Sequence, residues 1–109
     1  MLNTLVFLLI VASVYILFSK QIDQFYIGSC LDLATRLEFH QNKVFKNAFT
    51  RRANDWELYF EIPDLSFEAA RKIETHIKNM KSRVYLQNLT NYPEISLKLT
   101  LKFGASSSR

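Results

Sequence analysis

The chain has 109 residues, enough for one hydrophobic core and too few for two, and its 49% apolar and 22% charged content excludes a disordered or collagen-like protein. Fourteen Lys and Arg against ten Asp and Glu leave a net charge of +4, a mild excess that suits a polyanionic partner without requiring one. One cysteine, Cys30, excludes an internal disulfide and a thiolate metal cage, and points to a reducing compartment, the cytoplasm.

Residues Leu2 to Phe18 form an apolar run of 17, relieved only by Asn3, Thr4, Ser13 and Tyr15. The run sits at the lower edge of bilayer-spanning length and no Lys or Arg precedes it, which disfavours both a membrane helix and a signal peptide. A strand over Ser13–Phe18 competes for the same residues. We read that strand, with residues 1–12 as an apolar extension of unassigned role. Phe25–Gly28 repeats the branched and aromatic character after the polar stretch Lys20–Gln24, so the two segments make a hairpin.

Ser29 and Asp32 have the spacing of a helix-starting box, and Leu33 and Leu37 lie one turn apart, predicting a helix over residues 31–41 with Arg36 and His40 on one side of it. From Asn42 to Asp55 a basic loop or ragged helix carries Phe45 and Phe49 among Lys43, Lys46, Arg51 and Arg52. Trp56–Ile62 reads as a third strand, ended by Pro63. Ser66 caps a helix running to about Asn79 on the apolar positions Ala70, Ile73, Ile77 and Met80, and Ser82 starts another over Arg83–Leu89. The tail stays undecided. Ile95, Leu97, Leu99, Leu101 and Phe103 alternate with polar residues at a strand period, yet the pairs 95/99 and 97/101 fit a helical turn equally.

This order predicts a small α/β sandwich over residues 13–92, a three-stranded antiparallel sheet flanked by helices, with 93–109 as a tail. Two glycines and two histidines cannot supply a phosphate-cradling loop or a catalytic triad. The remaining candidates are Tyr15, Tyr26, Arg36, His40 and Glu74. Each has an ordinary structural explanation. Strand tyrosines pack, Arg36 can pair with Asp32, His40 can favour a helix C-terminus, and Glu74 can pair with Lys78 at i, i+4. Glu74 and Arg36 nevertheless border the apolar faces of their helices, so opposite charges can converge on the sheet that bears both tyrosines.

The series "VYI", nine residues, "YIG", then "DLATRLEFH", "DWELYFE" and "EAARKIETHIKNMKSR" resembles the GIY-YIG nuclease superfamily, and within it the small stand-alone members related to the N-terminal nuclease domain of bacterial excinuclease C. The likeness spans roughly Ser13 to Pro93. Val14 stands where the family name has glycine. The resemblance implies a metal-dependent endonuclease acting on DNA, with Tyr15 as the first tyrosine, Tyr26 as the second, Arg36 as the helix arginine, His40 as the histidine one turn later and Glu74 as the metal ligand. It implies Mg²⁺ or Mn²⁺ as the metal and no small-molecule cofactor. Some members use a further asparagine, and Asn88 is the nearest residue, but its spacing does not match.

On that reading Arg36 would donate to the scissile phosphate, Tyr15 would take the proton of the attacking water, and His40 would assist. Lys43, Lys46, Arg51, Arg52, Arg71, Lys72 and Lys81 would meet flanking phosphates without reading sequence. Two other readings stay open: a DNA-binding module of the same fold without catalysis, and a small protein anchored in a membrane through Leu2–Phe18. A protein partner or a homodimer fits so small a surface, and repair, recombination and mobile-element biology all remain as settings.

Overall fold

The computed structural model describes residues 11–33, 36–37 and 49–105. His40, Lys43 and Lys46 lie outside them, as do residues 1–10 of the apolar extension. Strand β1 (Ala12–Ser19) and strand β2 (Gln24–Cys30) form the expected antiparallel hairpin, with Ser19 opposite Gln24 and Tyr15 opposite Gly28. Strand β3 (Glu57–Leu65) pairs antiparallel with the other side of β1, giving the order β2-β1-β3. The sheet is therefore the three-stranded antiparallel one predicted.

Pro63 does not end β3. The strand continues to Leu65 because β3 is an edge strand of this sheet, where a proline's missing N–H need not break a ladder. Pro63 and Asp64 fall between the pairs Val14↔Ile62 and Ala12↔Leu65, two residues opposing one, which is a bulge. Asp64 takes φ 63° there, a left-handed conformation that aspartate tolerates better than most side chains. The hairpin turn holds another such residue, Asp23 at φ 55°, and Arg83 Nη2 donates both to its carbonyl (2.7 Å) and to its Oδ1 (3.0 Å).

Three helices follow β3: α1 (Phe67–Met80), α2 (Arg83–Asn91) and α3 (Pro93–Ala105). Ser66 and Ser82 cap the first two, each hydroxyl accepting an N–H three residues on at 3.1 Å. The undecided tail is helical. Proline suits the first helical position, and the 95/99/103 row packs inward with Leu99 only 6% exposed, whereas Leu97 and Leu101 are 59% and 61% exposed. A strand would have put all five on one side.

β1 is buried on both faces. Ala12, Val14 and Ile16 join Ile62, Leu65, Ala70, Ile73, Ile77, Leu89 and Leu99 in a core beneath α1, α2 and α3. Tyr15 and Leu17 face the other way, into a smaller cluster with Cys30, Ala53 and Trp56, against which Tyr26, Leu33, Leu37 and Phe49 pack. Trp56 is held by its indole N–H, which donates to the Thr50 carbonyl at 2.7 Å. Among the described residues no helix is long and apolar enough to cross a membrane, and the apolar run becomes strand from Ala12 onward.

Candidate active site

The strand period of two decides which side chains meet. Tyr26, Gly28 and Cys30 share the face of β2 that Tyr15 occupies on β1, while Ser29 points to the opposite face, toward α1. Tyr15 lies directly across from Gly28, and its ring and hydroxyl cross over that residue: a Cβ at position 28 would sit 2.6 Å from the Tyr15 oxygen. Gly28 has no positive φ, so its role is close approach and not a turn. The absent side chain lets the Tyr15 hydroxyl reach the sheet edge.

At that edge opens a cleft of about 570 Å³, lined among others by Tyr15, Tyr26, Ser29, Arg36, Arg71 and Glu74. Glu74 comes from α1, and its carboxylate, 15% exposed, takes the Ser29 hydroxyl on Oε1 (2.6 Å) and Lys78 Nζ on Oε2 (2.6 Å). Arg36 enters from the other layer. Asp32 precedes the first helical residue, Leu33, and its carbonyl accepts the Arg36 N–H at 3.1 Å, so one helical turn delivers Arg36 to the cleft. Tyr15 and Tyr26 stand 6.3 Å apart between ring centroids, and Phe49 and Trp56 press on Tyr26 from 6.1 and 6.4 Å.

The model of the GIY-YIG catalytic domain matches residues 11–88. The chain belongs to the GIY-YIG family. No curated protein and no solved structure gives a significant match. A GIY-YIG domain is a nuclease-type fold, and the cleft gathers four of the five residues singled out in the sequence as a catalytic set: Tyr15, Tyr26, Arg36 and Glu74. The fifth, His40, falls outside the described residues.

Of the basic residues, Arg71 lines the cleft with its guanidinium 5.6 Å from the Phe67 ring centroid. Arg51 and Arg52 lie exposed in the short 3-10 turn Thr50–Arg52, Arg52 stacking over Phe49 at 5.0 Å. Lys72 pairs with Glu68 at 3.3 Å on the outer surface of α1, and Lys81 lines a separate groove with Phe25, Lys78 and Arg83. Asn88 is not among the residues lining the cleft of this GIY-YIG domain.

The sequence reading missed Ser29 as a cleft residue. It was expected to open the helix, but it is a β2 residue and Asp32 stands at the helix start instead. A serine just ahead of an apolar helical pattern imitates a cap. The signal that separates the two is parity, because the residue after Gly28 must face the layer opposite Tyr15. The other expected alternative, the Glu74–Lys78 pair, does form: Glu74 lines the cleft, while Lys78 is half exposed and lines a separate groove.

Burial pushes the Tyr15 hydroxyl well above an ordinary phenol's pKa; the neighbouring Tyr26 adds to the rise, and the Arg36 guanidinium opposes it without cancelling it. Burial likewise raises the Cys30 thiol, again against Arg36, so Cys30 is a packed apolar-like side chain in the cleft wall and not a thiolate. The donor set suits a hard cation. Glu74 and Asp32 are carboxylates lining a cleft wide enough for an ion that keeps most of its waters. Such an ion would be held by few protein oxygens and would keep several waters.

Proposed function

We propose that this GIY-YIG domain is a metal-dependent endonuclease that hydrolyses DNA phosphodiester bonds in the cleft between Tyr15 and Glu74. One observation carries the reading: side chains from β1, β2, the Arg36 helix and α1 meet at one sheet edge, and they are of the kinds that phosphodiester hydrolysis requires. Hydrolysis must place an attacking water in line with the leaving oxygen and neutralise charge on the phosphoryl oxygens. Arg36 presents a planar fork to two phosphate oxygens, and Arg71 adds a second positive charge to the cleft from α1. A divalent ion at Glu74 would supply further neutralisation at the phosphate and at the leaving oxygen.

Tyr15 receives the proton. As the water oxygen bonds to phosphorus and the bond to the leaving oxygen breaks, a proton passes from that water to the Tyr15 oxygen, and the leaving alkoxide takes a proton from solvent water. Tyr15 must be ionised to do this, and its burial opposes ionisation; the nearby Arg36 charge reduces that opposition without removing it. Tyr26, packed against Phe49 and Trp56, orients water or phosphate beside it. Arg51, Arg52, Lys72 and Lys81, with Lys43 and Lys46, would bind flanking phosphates.

The test is nicking of plasmid, branched and single-stranded DNA by the purified chain with Mg²⁺ or Mn²⁺, beside Glu74→Ala. Cutting by the wild type alone is the expected result. Binding of DNA by both proteins with no cutting by either on any substrate would replace this reading with a non-catalytic DNA-binding module.

A further inference from the structure

The Glu74 carboxylate is held from two sides, and the two holds differ in kind. Ser29 donates to Oε1 from a short side chain on a strand whose backbone is fixed by its pairing with β1, Ser29 lying opposite Val14. Lys78 reaches Oε2 from the next turn of α1 through a long flexible stem that is 50% exposed. Exposed ion pairs of this sort contribute little because water screens them and the side chain loses rotamer freedom. Lys78 also lines the second groove, of about 250 Å³, whose walls include Phe25, Lys81, Arg83 and Leu86. A place to move to therefore exists beside the place it occupies.

We propose that Ser29 is a positioning residue that fixes Glu74 for cation binding, and that Lys78 is a resident counter-ion which a divalent cation displaces from Oε2. This rests on the reading of Glu74 as the cation ligand. An ammonium in contact with Oε2 occupies a lone pair of that oxygen and repels an approaching dication, so loading requires the exchange of one positive charge for another on the same carboxylate. The Ser29 bond is compatible with loading, since Oε1 keeps a second lone pair and the hydroxyl carries no charge. The exchange leaves the Lys78 ammonium in the second groove, able to meet a phosphate there.

The experiment is titration of the metal-free protein with Mn²⁺, followed by electron paramagnetic resonance of the free ion, for the wild type and for Glu74→Gln, Ser29→Ala, Ser29→Thr, Lys78→Met and Lys98→Met. Thermal melts in chelator check that each variant folds. Glu74→Gln abolishes binding. Ser29→Ala weakens it by about tenfold, the lower end for loss of an outer-sphere ligand support, and Ser29→Thr restores it to within about twofold. Lys78→Met tightens binding by about two- to fivefold, the range an exposed ion pair can withhold, whereas Lys98→Met, which removes the same charge from exposed α3, leaves it unchanged. Binding by Glu74→Gln at wild-type strength would overturn the metal-site reading itself. Loss in Glu74→Gln together with unchanged or weaker binding by Lys78→Met, equal tightening by Lys98→Met, or no rescue by threonine would overturn this inference alone.

Discussion

An alanine at position 28 would place its Cβ 2.6 Å from the Tyr15 oxygen and 2.7 Å from Cζ, far inside contact distance. Tyr15 is 1% exposed and backed by Tyr26, so the ring cannot simply step aside. Gly28→Ala should cost about 1–3 kcal/mol, as overpacking does, read as a shift in urea midpoint, and should reduce nicking far more than its residual stability would suggest. The same ring sets the pH dependence. If Tyr15 takes the proton as proposed, ionisation activates it while burial raises its pKa, so single-turnover nicking should rise about tenfold per pH unit from pH 7 to 9 without a plateau. Tyr15→Phe should lose about 10²- to 10⁴-fold and that slope together; a wild-type rate flat in pH would remove Tyr15 as the proton acceptor. That Tyr15, Tyr26, Arg36 and Glu74 would meet was legible through the spacing of the motifs that carry the family resemblance, since each residue alone has an ordinary structural explanation. Ser29 was not, because one residue's parity decides whether a serine caps a helix or faces one.

The hairpin and the segment before β3 are joined by Asp55, whose Oδ1 accepts the Ser19 hydroxyl (2.5 Å) and whose Oδ2 accepts the Gln21 N–H (2.9 Å). The Ser19 bond, first among the causes, holds the Asp55 carboxyl below its usual range. A carboxyl with a lowered folded-state pKa stabilises the fold above its unfolded value of about 3.9 and loses that contribution as pH falls through the lower folded value. Wild type should therefore be more stable than Asp55→Ala at pH 6, with the gap closing below pH 4 in melts taken across that range. At the start of α1, Ser66→Ala should cost about 1 kcal/mol through loss of the Ala69 N–H partner, and should weaken cation binding as well, since the helix carries Glu74. Caps and apolar spacing made α1 and α2 readable to within two residues. β3 was read short because proline in a strand signals an end unless the strand is known to be an edge with a bulge, and only the tertiary pairing shows that. For the tail, a run alternating at two also repeats at four, and the choice was made by the core that α3 has to cover.

That covering makes α3 part of the fold although the family match ends at residue 88. Leu99→Ala should destabilise the whole domain by about 2–4 kcal/mol in denaturant unfolding, as for other buried leucines, while Leu97→Ala and Leu101→Ala on the exposed row should stay within about 0.5 kcal/mol. Charge acts at the same scale. If the exposed Arg51 and Arg52 meet backbone phosphates, the double alanine variant should flatten the slope of log K against log salt for duplex DNA by about two and weaken all sequences alike. The basic excess was plain in the composition, whereas its dispersal was not: Arg71 lines the cleft, Lys81 lines a separate groove, and Arg51 and Arg52 occupy the short turn before β3. The middle strand, committed on both sides, also constrains how such a domain can diverge. One residue gained or lost between Ala12 and Ser19 would turn Tyr15 toward the helices and Ile16 toward the cleft, disrupting the cleft lining and the core packing in a single event. Lineages can therefore exchange side chains along β1 but cannot alter its length, and insertions must collect elsewhere, at the Lys20–Asp23 turn or past the last helix.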